Sequence, residues 1–192
     1  MTGLVPLAQA LGIAYASGIS LYASVALLGT AERWGLVYPL SAPLDAFGNP
    51  WIVGLAFVLT VVEFLATLVP GVASAWDAVH TFIRPPAAAA MALLVAWHGS
   101  PTLLLAAGML GGTLGLVTHA TKLGARVAVD SSPEPMTNGM ANLGELATVA
   151  IVVATVWQHP FVTLGFALAL LGGMMVLIRK VWRGVRQAFA DA

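Results

Sequence analysis

Between Phe161 and Ile178 the chain reads FVTLGFALALLGGMMVLI, eighteen residues without one ionisable side chain. Crossing about 30 Å of hydrocarbon takes about 20 apolar residues in a helix. Five other stretches are predominantly apolar: about Leu4 to Thr30, Trp51 to Leu68, Pro86 to Trp97, Pro101 to His119 and Leu143 to Gln158. The third and fifth in chain order are short, and read as full spans, tilted spans or half-helices shielded by protein. The first is long and carries Tyr15, Ser17, Gly18 and Ser20 in its middle, which marks it as a kinked or broken helix. The fold expected is all-α, a polytopic transmembrane helical bundle of about six membrane segments. Two inverted three-segment halves are one arrangement of them.

Composition excludes the soluble alternative. Apolar residues make up 59% of the chain and charged residues 8%, with a mean hydropathy of +0.92. Soluble domains carry about 25% charged residues. The net charge is zero, so no nucleic-acid partner is expected. The absence of cysteine excludes disulfides, thiolate metal sites and thiol nucleophiles. The start, MTGLVPLAQALG, lacks a basic region, so a cleaved secretory signal is not expected. Residues 1–192 read as one membrane domain, with tight hairpins at His98-Gly99-Ser100 and His159-Pro160 and longer links over 31–50, 70–85 and 120–142. Gly108 and Gly112, and Gly111 and Gly115, form small-xxx-small pairs that would let another helix approach closely.

If the segments alternate across the bilayer, one side holds only Arg33. The other holds Arg84, Lys122, Arg126, Arg179, Lys180, Arg183 and Arg186. The excess of Lys and Arg puts the second side, with both termini, in the cytoplasm. The expected location is therefore the cytoplasmic (inner) membrane. The basic, amphipathic extension at 179–190 would lie against anionic headgroups.

Against this sparse charge, SAWDAVHTFIRPP at 74–86 gathers Asp77, His80 and Arg84 at helical spacing on one face. Ser74 and Asp77 have the form of a capping box. A short helix would start at Ser74 and stop before Pro85, with Pro86 opening the next. His119, Lys122 and Arg126 repeat the three-then-four spacing. Glu63 lies inside the second segment, and Glu145 opens the fifth from the same side. An ionised side chain in the membrane costs about 2.5–3.5 kcal/mol on insertion scales, so such groups face the interior and are paired. One polar pocket near the cytoplasmic end is expected, built from Glu63, Asp77, His80, Arg84, His119, Lys122, Arg126, Glu134, Asn138 and Glu145. His98 and His159, in turns on the far side, read as structural.

Three motifs, ASGISLYASVALLG at 16–29, VEFLATLVPGVASAWDAVHTFIRPP at 62–86 and HATKLGARVAVDSSPEPMTN at 119–138, together resemble a multi-pass membrane family called domain of unknown function 4126. The family pattern has a further acidic–basic pair where this chain has Thr67 and Leu68. The resemblance implies an all-helical membrane fold and supplies no activity.

Three function classes follow from the residues. The first is a transporter or channel for a small solute, with the bases and histidines favouring an anionic or phosphate-bearing one. EFLAT at 63–67 and ELAT at 145–148 would be the trace of an inverted repeat, though the two glutamates are expected at different depths. The second is a membrane enzyme acting on a lipid or phosphorylated substrate. Asp77, His80 and Glu63 would hold a metal or move protons there, with phosphate on Arg84, Lys122 and Arg126. The sequence has no established catalytic signature. The third is a scaffold stapled by internal ion pairs. The lipid bilayer, a small molecule or ion, and further copies of the chain are the partners expected. No cofactor is specified.

Overall fold

The computed structural model describes residues 3–37, 40, 42–130 and 135–190. Among these the regular structure is all helical, with no strand. Seven α-helices run Leu4–Ile19 (α1), Leu21–Arg33 (α2), Pro50–Ala66 (α3), Pro70–Val95 (α4), Pro101–Asp130 (α5), Pro135–Thr155 (α6) and Pro160–Ala190 (α7). A 3-10 turn, Leu44–Gly48, sits between α2 and α3. Segments of α4, α5 and α7 are long and apolar enough to cross a membrane, namely Gly71–Val95, Pro101–Arg126 and Pro160–Lys180. Leu4–Ile19 and Pro50–Ala66 are shorter apolar helices.

Burial is inverted relative to a soluble protein. Leu55, Phe57, Val58, Phe82, Leu105, Met109 and Val162 are exposed, whereas Glu63, Asp77, Arg84, Lys122 and Arg126 are buried. Charged side chains are almost never fully buried unless paired. Outward apolar side chains around an inward charged cluster are what a hydrocarbon solvent selects. The chain is thus a helical bundle of membrane type.

Helix α1 is its axis. Every residue from Gly12 to Ile19 is buried, and α4, α5, α6 and α7 all pack on it. The long first segment is broken, as its mid-run serines and glycine suggest. Ser20 takes an extended conformation (φ −145°, ψ 108°) between α1 and α2. Its Oγ accepts from the Ala23 amide at 3.4 Å, and the Ser24 hydroxyl donates to its carbonyl at 2.8 Å. Ser20 is therefore both the break and the N-cap of α2.

Several sequence-based boundaries move. No helix ends before Pro85. Pro85 and Pro86 lie inside α4, which begins at Pro70, so Ser74 is not a cap and Pro86 does not open a helix. Prolines are tolerated in a membrane helix where neighbours hold the backbone on both sides. Here Ala88 and Ala92, just beyond the proline pair, are fully buried against α5. The link expected over 120–142 is mostly helix: α5 continues to Asp130 and α6 begins at Pro135. Glu145 consequently lies ten residues inside α6, not at its opening. The basic segment after Ile178 continues α7, as expected, with Arg179, Lys180 and Arg183 exposed.

The glycine pairs on α5 do what their spacing predicts. A Cβ on Gly115 would run into the Ala88 methyl, and one on Gly111 into the Ala92 methyl. On α1, a Cβ at Gly18 would stand 2.8 Å from the Gly115 carbonyl oxygen. Three backbones meet there at close range. Gly115→Ala should lower stability by about 1–3 kcal/mol, since neither methyl can move without its helix. Gly165→Ala on α7, where a Cβ meets nothing within 4 Å, should be neutral or stabilising by up to about 1 kcal/mol. Thermal unfolding of both variants in the same detergent checks this.

Candidate functional site

The break at Ser20 leaves two helix ends inside the bundle, and each meets a charge of the appropriate sign. The carbonyl end of α1 faces Lys122, whose Nζ donates to the Ile19 oxygen at 3.0 Å. At the amide end of α2, the Ser20 hydroxyl donates to Glu63 Oε2 at 2.7 Å. Helix dipoles favour a cation at the C-terminus and an anion at the N-terminus. Lys122 comes from α5 and Glu63 from α3, so the break is also where those helices are tied to the axis.

From Glu63 the charges extend as one network. Glu63 Oε1 pairs with Arg84 of α4 and lies 3.5 Å from Lys122 Nζ. Lys122 Nζ also meets Glu145 Oε2 of α6 at 2.7 Å. Arg126, one turn along α5, pairs with Glu145 Oε1 and Asp77 Oδ2, each at 3.5 Å. Asp77 Oδ1 closes the ring at 3.7 Å from Arg84 Nη1. Arg126 also donates to the Thr67 carbonyl (3.3 Å) at the end of α3 and to Asn142 Oδ1 (2.5 Å). Asn142 in turn donates to the Phe64 carbonyl at 3.2 Å. Three carboxylates thus face three cations.

His119 is held neutral by its partners. Arg84 Nη1 can only donate, so His119 Nδ1, 2.9 Å away, accepts. The proton is then on Nε2, which donates to Thr81 Oγ1 at 3.1 Å, and Thr81 donates to the Asp77 carbonyl at 2.9 Å. His80 Nδ1 donates to the Trp76 carbonyl at 2.7 Å, and its Nε2 lies 3.0 Å from the Tyr22 hydroxyl. The Trp76 ring stacks on His80 with centroids 4.4 Å apart, and Tyr22 meets both rings edge-on.

The expected single pocket is largely one place. Glu63, Asp77, Arg84, His119, Lys122, Arg126 and Glu145 form the connected network. His80 belongs to an adjoining aromatic group instead, linked to α2 through Tyr22. Asn138 is fully buried one turn before Asn142, and neither of its amide atoms has a partner among the described residues. Glu134 lies outside the described residues. Two expectations are corrected. Glu63 and Glu145 are not at different depths: both reach the same ammonium, because α6 starts earlier than its hydropathy suggests. Nor is the pocket basic, since each cation is matched by a carboxylate, and the charge argument for an anionic or phosphate-bearing solute falls.

The metal-binding variant of the enzyme reading also loses its geometry. His80 has both ring nitrogens engaged away from Glu63 and Asp77, and no group of three or more His, Asp or Glu converges among the described residues. Sequence reasoning missed Ser20, Tyr22, Trp76, Thr81 and Asn142 as members of the site. Only Asn142 carried a usable signal, standing four residues after Asn138 and three before Glu145 on one helix face. Beside the network a crevice of about 10 Å³ is lined by Ser20, Thr60, Glu63, Thr67, Asn142 and Glu145. That is room for about one water.

Removing one partner from such a network should be severe. Arg84→Met leaves Glu63 and Asp77 short of a cation and should cost about 3–5 kcal/mol. Combining it with Glu63→Gln should be milder than the sum of the two by about 0.5–3 kcal/mol. Unfolding of the three variants in detergent measures that coupling.

Residues 7–180 match the family described as Domain of unknown function (DUF4126). Neither the search of curated proteins nor that of solved structures returned a match. With a match spanning nearly its whole length, the charge network included, the chain belongs to the DUF4126 family.

Proposed function

We propose that the protein is a membrane transporter that moves a proton or another small monovalent cation, with Glu63, Lys122 and Glu145 as its exchange site. One observation carries this: the axial helix is broken inside the bundle, with an acid and a base at its two ends. Interrupted helices whose ends bind ions are the common device of secondary transporters. The Lys122 ammonium stands where a free cation would stand, on a helix-end carbonyl and between two carboxylates. The adjoining crevice brings Ser20, Thr60, Glu63, Thr67, Asn142 and Glu145 together beside Phe64 and Leu146, and has the scale of a single water or ion. Binding or losing one positive charge there would weaken the hold of Lys122 and Arg84 on Glu63, and with it the tie between α3, α4, α5 and the break.

The test is flux in proteoliposomes under an imposed diffusion potential, followed with a trapped pH dye and with labelled sodium. The native protein should carry one of the two ions well above empty vesicles. Glu63→Gln should reduce that flux at least about tenfold. Ser20→Ala, which keeps every charge, should reduce it less. A native protein no more conductive than empty vesicles would overturn the proposal. The saturated, charge-balanced network would then be read as a set of staples in a scaffold.

The cytoplasmic placement of the charged end belongs to the same proposal, supported by the lysine and arginine asymmetry. Because the chain has no cysteine, Ser74→Cys and Ser100→Cys can be labelled singly in intact cells. Ser100→Cys should react from outside and Ser74→Cys should not. Labelling of both from one side would refute it.

A further inference from the structure

Apart from the polar ties at its end, made by Glu63 and by the carbonyls that Arg126 and Asn142 hold, helix α3 packs chiefly on one neighbour. It packs along α2 but touches α4 slightly, and Ala56 and Glu63 are its only buried residues. The gap between α3 and α4 is a groove of about 310 Å³ floored by α2. That is within the range of ligand cavities, about 300–1,000 Å³. Its walls present no polar surface. Ile52, Ala56 and Leu59 line it from α3, and Ala87, Ala90 and Leu94 from α4. Tyr22 contributes its ring, the hydroxyl being engaged by His80. Three alanines hold the space open where larger side chains would close it.

The surroundings say what fills it. The groove opens outward beside Leu55, an exposed apolar residue of α3 that also lines it. In a membrane bundle that flank faces hydrocarbon, and nothing polar inside the groove would hold water or a headgroup. A flexible apolar chain entering sideways meets both conditions. We infer that the groove between α3 and α4 is a binding site for one acyl chain of a bilayer phospholipid, inserted laterally against Ala56, Ala87 and Ala90. Glu63 lies one turn beyond Leu59 on the same helix, so an occupied groove would brace the helix that carries the central carboxylate.

Ala90 is exposed to the groove, so a larger side chain there fills space without entering the core. Ala90→Phe is compared with Ala169→Phe, an exposed position on α7 away from the groove. The readout is phospholipid retained by the full chain after purification in mild detergent, by native mass spectrometry with lipid extraction. About one phospholipid per chain is expected for the native protein and for Ala169→Phe, with a loss of at least about tenfold in Ala90→Phe. Should Ala90→Phe fold poorly, Ala87→Leu replaces it. A phosphatidylcholine carrying a photoreactive group on its acyl chain should label the peptide containing Met91 and Leu94 in the native protein and not in the variant. No retained lipid, or retention and labelling unchanged by filling the groove, would overturn the inference. So would a native dimer that Ala90→Phe dissociates, since a second copy would then be the occupant. None of these readouts depends on ion flux, so this inference and the transport proposal fail separately.

Discussion

The contact on which the rest depends is the pairing of a broken helix with charge. A helix that stops in the middle of a membrane bundle leaves backbone groups without partners in a medium that offers none, and each would cost several kcal/mol. Here the break at Ser20 is answered locally by the serine side chain and globally by Lys122 and Glu63. The two charges are in turn too expensive to bury alone. They require each other, and they recruit Arg84, Asp77, Arg126 and Glu145 until the sum is neutral. One irregularity in the axial helix thus accounts for most of the ionisable side chains in the middle of the chain.

The same network organises the helices. Lys122 and Arg126 of α5 reach α1, α3, α4 and α6, so α5 is the hub of polar contact as well as the partner in the closest apolar packing. The two kinds of contact divide its length. Gly111 and Gly115 bring α5 against Ala92 and Ala88 of α4, and one to three turns further on the charges take over. Helices held without a strong hydrophobic driving force need close backbone approach and polar cross-links. Both are present on one helix, and α3, which has little of the first, depends on Glu63 and on the carbonyls at its end that Arg126 and Asn142 hold.

Much of this was legible beforehand. The apolar runs identify the helices. The Glu63 depth argument identifies a buried acid that needs a base. Helical spacing places Asp77, His80 and Arg84 on one face, as observed for the first and last. The errors have a common cause. Local rules for proline and capping ended a helix at Arg84 and began one at Ser74, whereas packing against α5 carries α4 through both positions. Hydropathy likewise undercounts α5 and α6, whose inner ends are polar because they build the site. The shift of Glu145 from the edge of a segment to its interior follows from that undercount alone.

By itself the sequence determined that the chain would be helical, that its outside would be apolar, and that buried charges of both signs would need one another as partners. Those follow from composition and period, which are properties of short windows. Which acid meets which base was decided only by tertiary structure. Pairing depends on helix rotation and offset, and a shift of one residue turns a side chain by about 100° around its helix. The tertiary structure also decided that the cluster is neutral rather than basic, because charge balance belongs to a volume and not to a segment. For the same reason the groove between α3 and α4 leaves no trace in the sequence: it is space that two helices fail to fill, at residues whose only distinction is to be small.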